Sequence, residues 1–505
     1  MYPWAYILFL VSVVKVQGQD FAWLGGNKLS DKPSVIDLPG GRSGTGVWQD
    51  SNNTVWMFGG VGMTSVATTT GGSVMLNDLW RFALSNQTWR QLHPGTVSNL
   101  TVATSRSPQI PRPRQLPAVC GTGHVMVLFG GLAEDDEALG DLWVFDTGKK
   151  VWRLLVDSYS GGLEIRNETD HDTTRDVGPA PRGDSANWCT SSHLYIFGGT
   201  NSSSFLFSDM WRLNLKDFTW EELKSSQEAP TSLRNHQTAD YPQGRNGAMT
   251  WLSEMETSRT LYMFGGNVLS KYPRDRHIAS GYTSDMWEYT VSTDSWRYMS
   301  GSTQPGQPAA YGRLGEMSSS SVPGCRRGGA AWSDTKHLLW LVGGEGADEE
   351  TPSTVRSAKL LSDLWRFHPM TGEWEWMGGS KKGDTPASFK KKGRLMHTGL
   401  PGGRLDAATW KEANSEAFFL FGGLGHDGVQ HDGYLSDLWF IDVSATITYD
   451  FYVPAVYGFA IIFGGVALVL CLSVMALYAR DRSKPPQWRR GGAGTSYSQL
   501  HDSDT

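Results

Sequence analysis

The chain has 505 residues, with 45 Lys and Arg against 51 Asp and Glu and a net charge of −6. Without a basic excess it is no nucleic-acid binder, and 12% aromatic content excludes a disordered chain. Four cysteines exclude a disulfide-stapled scaffold. The unusual counts are 59 Gly and 22 Trp.

The first element is the apolar run 5–14, AYILFLVSVV, followed by Val16-Gln17-Gly18. Ten helical residues reach about 15 Å, half of a bilayer core. The run therefore reads as a secretory signal peptide, residues 1–18, removed after Gly18. Lys15 follows the run and no basic residue precedes it, which departs from the usual charge order.

The middle of the chain is one unit written six times. An apolar pair before a double glycine recurs at Gly59-Gly60, Gly130-Gly131, Gly198-Gly199, Gly265-Gly266, Gly343-Gly344 and Gly422-Gly423. Asp-Leu/Met-Trp follows each time, with the tryptophans at Trp80, Trp143, Trp211, Trp287, Trp365 and Trp439. Five repeats add a tryptophan nine residues on: Trp89, Trp152, Trp220, Trp296 and Trp374. Upstream stands Arg-x5-Trp, as in Arg42/Trp48, Arg182/Trp188, Arg245/Trp251, Arg326/Trp332 and Arg404/Trp410. The second repeat has Arg114 and Cys120 in those slots. Repetition thus accounts for 16 of the 22 tryptophans. Each unit reads as four short strands bounded by Gly, Ser, Asn and Asp. Four antiparallel strands repeated radially make propeller blades.

The double glycine with its spaced tryptophans resembles the kelch-repeat β-propeller family, over roughly residues 21–443. The Asp-Leu-Trp form is similar to the propellers of attractin-like surface proteins. The resemblance implies an all-β, six-bladed propeller. It leaves function open, because such propellers serve adhesion, signalling, scaffolding and a few enzymes. The sixth repeat lacks a fourth strand. Phe21-Ala22-Trp23-Leu24-Gly25-Gly26 aligns with Trp374-Glu375-Trp376-Met377-Gly378-Gly379, a fourth strand. The N-terminal strand is therefore expected beside Trp439, closing the ring.

After a linker at 444–452, residues 453–478 carry no charge over 26 positions, enough for a transmembrane helix. Arg480, Arg482 and Lys484 follow, so 479–505 is expected in the cytosol and 19–443 outside it. This is a type I single-pass protein of the cell surface or endolysosome. Sequons at Asn52, Asn86, Asn99, Asn167 and Asn201 fit that topology, and all precede the fourth repeat. Cys471 lies in the span; among Cys120, Cys189 and Cys325 at most one pair can form, and buried thiols are the expected state. In the tail, Tyr497-Ser498-Gln499-Leu500 resembles the tyrosine sorting motif read by clathrin adaptors.

In an up-and-down blade, the loops after the second and fourth strands share one face. Here those loops are the long ones, so that face is the binding candidate. Strand count places it away from the membrane. The sequon-free sector offers loops 267–283, 345–361, 378–403 and 424–435 for a protein or glycan ligand. The candidate binding residues there are Tyr272, Arg274, Arg276, His277, Glu349, Lys390, Lys391, His426 and His431. The pairs His426-Asp427 and His431-Asp432 are of metal-ligand type, yet Gly-rich polar turns explain them, as solvated loops explain the acidic runs 134–137 and 348–350. The recurring arginines and aspartates read as structural pairs rather than an anion-binding ring. Arg182-Gly183-Asp184 spells an integrin-type tripeptide, but it enters an inner strand. No Ser-His-Asp or HExxH pattern, cofactor site or metal site is evident, so a binding module is expected. A sugar-modifying enzyme of the secretory pathway is the alternative.

Overall fold

The computed structural model describes residues 15–17, 20–35, 37–63, 72–93, 110–157, 178–223, 241–255, 258–271, 278–350, 358–396, 399–412, 415–429, 431–444 and 446–448. The chain divides into two compact units, of which the larger is Val14–Tyr449. The signal-peptide run and the apolar segment 453–478 lie outside the described residues. Among the described residues no helix is long and apolar enough to cross a membrane.

Among the described residues the unit is all-β: six antiparallel sheets, two of them extended by short extra strands, each carry four main strands, beside smaller two- and three-stranded sheets. β1 (Asp20–Gly25) precedes the first sheet, which holds β2 (Gly46–Gln49), β3 (Thr54–Gly62), β4 (Val74–Ala83) and β5 (Thr88–His93). The second holds β6 (Ala118–Thr122), β7 (Val125–Phe129), β8 (Leu142–Asp146) and β9 (Val151–Val156). The third holds β10 (Ala186–Cys189), β11 (His193–Phe197), β12 (Met210–Asn214) and β13 (Trp220–Glu222). The fourth holds β14 (Met249–Met255), β15 (Ser258–Phe264), β16 (Met286–Thr290) and β17 (Ser295–Ser300). The fifth holds β18 (Ala330–Ser333), β19 (Leu339–Gly346), β20 (Lys359–His368) and β21 (Glu373–Gly378). The sixth holds β22 (Ala408–Lys411), β23 (Ala417–Phe421) and β24 (Leu438–Asp442), and its fourth strand is β1. Phe21 stands opposite Ile441 and Trp23 opposite Trp439.

The first strands touch in sequence, β2, β6, β10, β14, β18 and β22, and β22 returns to β2. Backbone hydrogen bonds follow the same circuit. The amides of Leu116, Asp184, Gly247, Gly328 and Asp406 donate to the carbonyls of Gly44, Leu116, Asp184, Gly247 and Gly328, and Gly44 donates to Asp406. All six residues have φ between 52° and 69°, which turns each N–H and C=O toward its neighbours around the axis. This is the arrangement of a β-propeller.

Between successive sheets lies an aromatic-rich core. Val55, Met57, Trp80 and Phe82 of the first pack against Trp410, Phe419 and Phe421 of the sixth, so the seam between the chain's two ends resembles the other five. Large aromatic faces supply most of the apolar area that holds sheet on sheet. The double glycine is forced by the same approach. At Gly198, φ is +67°, and a Cβ would sit 2.4 Å from the Arg245 carbonyl oxygen of the next repeat.

In each repeat the arginine before the first strand forks onto the aspartate of the Asp-Leu/Met-Trp step, in or just before the third strand. These bonds, Arg42–Asp78, Arg114–Asp141, Arg182–Asp209, Arg245–Asp285, Arg326–Asp363 and Arg404–Asp437, are 2.6–2.9 Å long. The same guanidinium donates to the first glycine's carbonyl, and the following tryptophan's Nε1 donates to the aspartate. The arginines are buried and engaged inside their own repeats. Arg182 is therefore withdrawn from the Arg-Gly-Asp tripeptide, and Asp184 is buried as well.

Two expectations need correction. Cys120 and Cys189 form a disulfide rather than remaining thiols. They lie on adjacent first strands, β6 and β10, whose contact brings equivalent slots together. Cys325 is buried beside Tyr282 and Ala347. Second, segment 378–403 is not an open loop. Its part 387–396 runs along the outer edge of the sixth sheet: Phe389 packs on Trp23 and Trp439, the Gly393 amide donates to the Trp23 carbonyl, and Met396 pairs with Phe21. Segment 309–318 repeats this on the fifth sheet, with Tyr311 on Trp365 and Trp376 and its hydroxyl donating to Asp363. Both straps cover β edges that would otherwise be open.

Candidate functional site

A cleft of about 730 Å³ opens between the fifth and sixth repeats, on the face of the long loops. Its residues come from three of the four segments named above, 345–361, 378–403 and 424–435, with Arg327 and Leu405 added from just ahead of the first strands β18 and β22. Half of its lining is apolar: Ala358, Leu360, Leu405, Leu424 and Val429. Val429 is 59% exposed at the lip.

The polar part of the lining centres on His426, which is buried. Its Nε2 lies 3.2 Å from Asp384 Oδ1, and its Nδ1 is paired with Asp432. Asp384 also accepts the Leu360 amide at 2.9 Å. The loop is shaped by Asp427, whose carboxylate accepts the amides of Ser30, Val429 and His431. Burial alone would raise Asp427, but these amides outweigh it and hold the carboxyl below its usual range.

Toward the axis the cleft ends in a polar cluster. Arg327 Nε donates to Glu345 Oε2 at 2.9 Å and lies 3.2 Å from the Tyr282 hydroxyl, which itself donates to Glu345. Asn246 donates to Asp184 at 2.7 Å. Burial pushes the Asp184 carboxyl up against the opposing pull of Arg327 and Asn246. Burial also raises Asp406, and the charge of Asp184 adds to it. Burial raises the Tyr282 phenol to about 12. One guanidinium thus faces Asp184, Asp406 and Glu345.

Among the expected binding residues, His426 lines this cleft. His431 is exposed beside it and binds through its amide. Glu349 is exposed on segment 345–361. Lys390 and Lys391 are exposed on the strap at the outer rim of the sixth sheet. Tyr272, Arg274, Arg276 and His277 lie outside the described residues. So do Asn99, Asn167, Tyr497 and Leu500; Asn52 and Asn86 are exposed on turns, and Asn201 is half-buried. Among the described residues no group of three or more His, Cys, Asp or Glu is placed to hold a metal ion.

Sequence reasoning missed the axial carboxyls. Two residues after the repeated arginine, three repeats have Gly44, Gly247 and Gly328, whereas two have Asp184 and Asp406. An acid in a slot that elsewhere holds glycine was the available signal.

The family model for the KLHDC2/KLHL20/DRC7 kelch-repeats domain matches residues 98–310. The chain is 23% identical over 304 residues to the leucine-zipper-like transcriptional regulator 1 homolog of Drosophila melanogaster, covering 58% of this chain and 24% of that protein. It is 24% identical over 229 residues to the dynein alpha chain of the flagellar outer arm of Chlamydomonas reinhardtii, covering 44% of this chain and 4% of that protein. The chain therefore spans a quarter or less of the length of these relatives. With the matching model and the sixfold motif together, the chain carries kelch repeats over the matched residues.

Proposed function

We propose that this chain is a membrane-anchored, six-bladed kelch propeller that binds a protein partner in the cleft between its fifth and sixth blades. The observation that carries the reading is the cleft itself. It combines apolar lining residues, an exposed lip residue and fixed polar groups, and it lies in the sector without sequons. The closed circuit of first strands and axial hydrogen bonds supports the count of six. The uncharged run 453–478 supports a single span, with the propeller on the extracellular or lumenal side. The Tyr497-Leu500 motif supports clathrin-mediated sorting between surface and endosome. No catalytic role is assigned.

The test is proximity labelling in cells by the full chain and by Val429→Arg, which places a charge on the apolar lip without entering the core. Partners lost on substitution, with unchanged abundance and melting temperature, support the reading. A labelled set indifferent to the substitution refutes it.

A further inference from the structure

We infer that the partner inserts a basic side chain, arginine or lysine, against the polar part of this cleft's lining while an apolar neighbour lies on Leu360, Leu405 and Leu424. The inference rests on the cleft being the binding site and adds the chemistry of what enters it.

The charge on the lining argues for a cation. It holds three carboxylates, Glu345, Asp384 and Asp432, with one guanidinium, Arg327, and one imidazole, His426. Arg327 is already held by Glu345 at 2.9 Å and faces Asp184 and Asp406 behind it. His426 is shared between Asp384 and Asp432. The nearby lysines are engaged elsewhere: Lys359 pairs with the fully buried Asp348, and Lys382 with Glu350. Lys390 and Lys391 sit on the outer strap. The Asp432 side chain is 70% exposed and that of Asp384 44% exposed, so both lie within reach of a guest. Among the described lining residues an acidic guest would meet like charge at the mouth, with Arg327 already held by Glu345.

The shape argues for a polypeptide segment. The lining sets carboxylates beside apolar side chains: Glu345 stands across from Leu360 in the fifth sheet, and Asp384 accepts the Leu360 amide. A basic residue next to a leucine-sized one satisfies both at once. Charge complementarity of this kind governs partner choice and encounter more than total affinity.

The experiment selects peptides from a random dodecamer phage library on the full chain in detergent micelles. Affinities of capped synthetic versions are then measured by fluorescence polarisation at two salt concentrations. Enriched peptides are expected to carry Arg or Lys beside an apolar residue. Replacing that Arg by citrulline, or Asp432 by Asn in the protein, should weaken binding at least tenfold, and Asp432→Glu should restore it. Because Asp432 is exposed, its variants should melt with the wild type. Peptides that lose binding on Val429→Arg yet carry no basic residue would overturn the inference and leave the proposed site standing. Peptides indifferent to both Val429→Arg and Asp432→Asn would overturn both. A library that enriches nothing on the cleft also counts against the inference, while the labelling test still decides the site.

Discussion

Asp363→Ala should be among the most damaging single substitutions in this protein, and the structure says why. Both Asp363 and Arg326 side chains are 0% exposed. Asp363 takes the two arms of the guanidinium at 2.7 and 2.8 Å, the Trp365 indole at 2.7 Å and the Tyr311 hydroxyl at 2.9 Å. Removing it leaves a buried cation uncompensated, which costs about 3–5 kcal/mol. Two orphaned donors add to this, and the value should fall at the upper end. Asp209 is the contrast. It makes the same fork to Arg182, but its side chain is 25% exposed, and water reaches it. Asp209→Ala should cost about half as much, because solvent replaces part of what is lost. The assay is urea unfolding of the full chain in detergent, followed by tryptophan fluorescence. A third variant, Arg326→Met with Asp363→Leu, removes both charges and should recover most of the loss. Equal destabilisation by Asp363→Ala and Asp209→Ala, or no recovery in the double variant, would refute the reasoning.

Three further outcomes are expected. Asp184 and Asp406 are pushed up by burial to about 6 and about 7 from 3.8. Folding therefore holds their protons longer than the unfolded chain does, so their contribution is full below the unfolded value of 3.8 and is lost progressively as pH rises from there to about 6 to 7. The melting temperature should fall across that window, and Asp406→Asn should flatten the fall; a rise would contradict the sign. Cys120→Ser opens a loop with a separation of 69 residues, for which chain entropy gives a loss of about 4 kcal/mol, read as a lower urea midpoint. Gly265→Ala forces a side chain at φ +65°, 2.6 Å from the Arg326 carbonyl oxygen, and should cost about 1–3 kcal/mol in the same titration.

The repeat and the role of the N-terminal strand were legible because they rest on local pattern. Tryptophans, double glycines and the Asp-Leu-Trp step recur in fixed order, and the 21–26 stretch matches a fourth strand residue by residue. Features created by contact between repeats were harder to read. Cys120 occupies a tryptophan slot and Cys189 follows one; only the side-by-side packing of β6 and β10 shows that they meet. The strap at 387–396 reads as a polar loop because its anchor, Phe389, is a single aromatic among lysines. At the binding face, His426 was visible as a residue type. Its burial between Asp384 and Asp432 depends on loops more than 40 residues apart in sequence, as Asp384 and His426 are.

The ring is latched by the chain's own first strand. Asp20 stands directly opposite Asp442 in the sixth sheet. Full-length protein carrying Asp20→Cys and Asp442→Cys, oxidised and digested, should yield a peptide joined through these two positions. A chain in which Asp20→Cys instead joins a cysteine placed at Asn214, at the end of the third repeat's β12, would contradict the closure and with it the cleft between the fifth and sixth repeats.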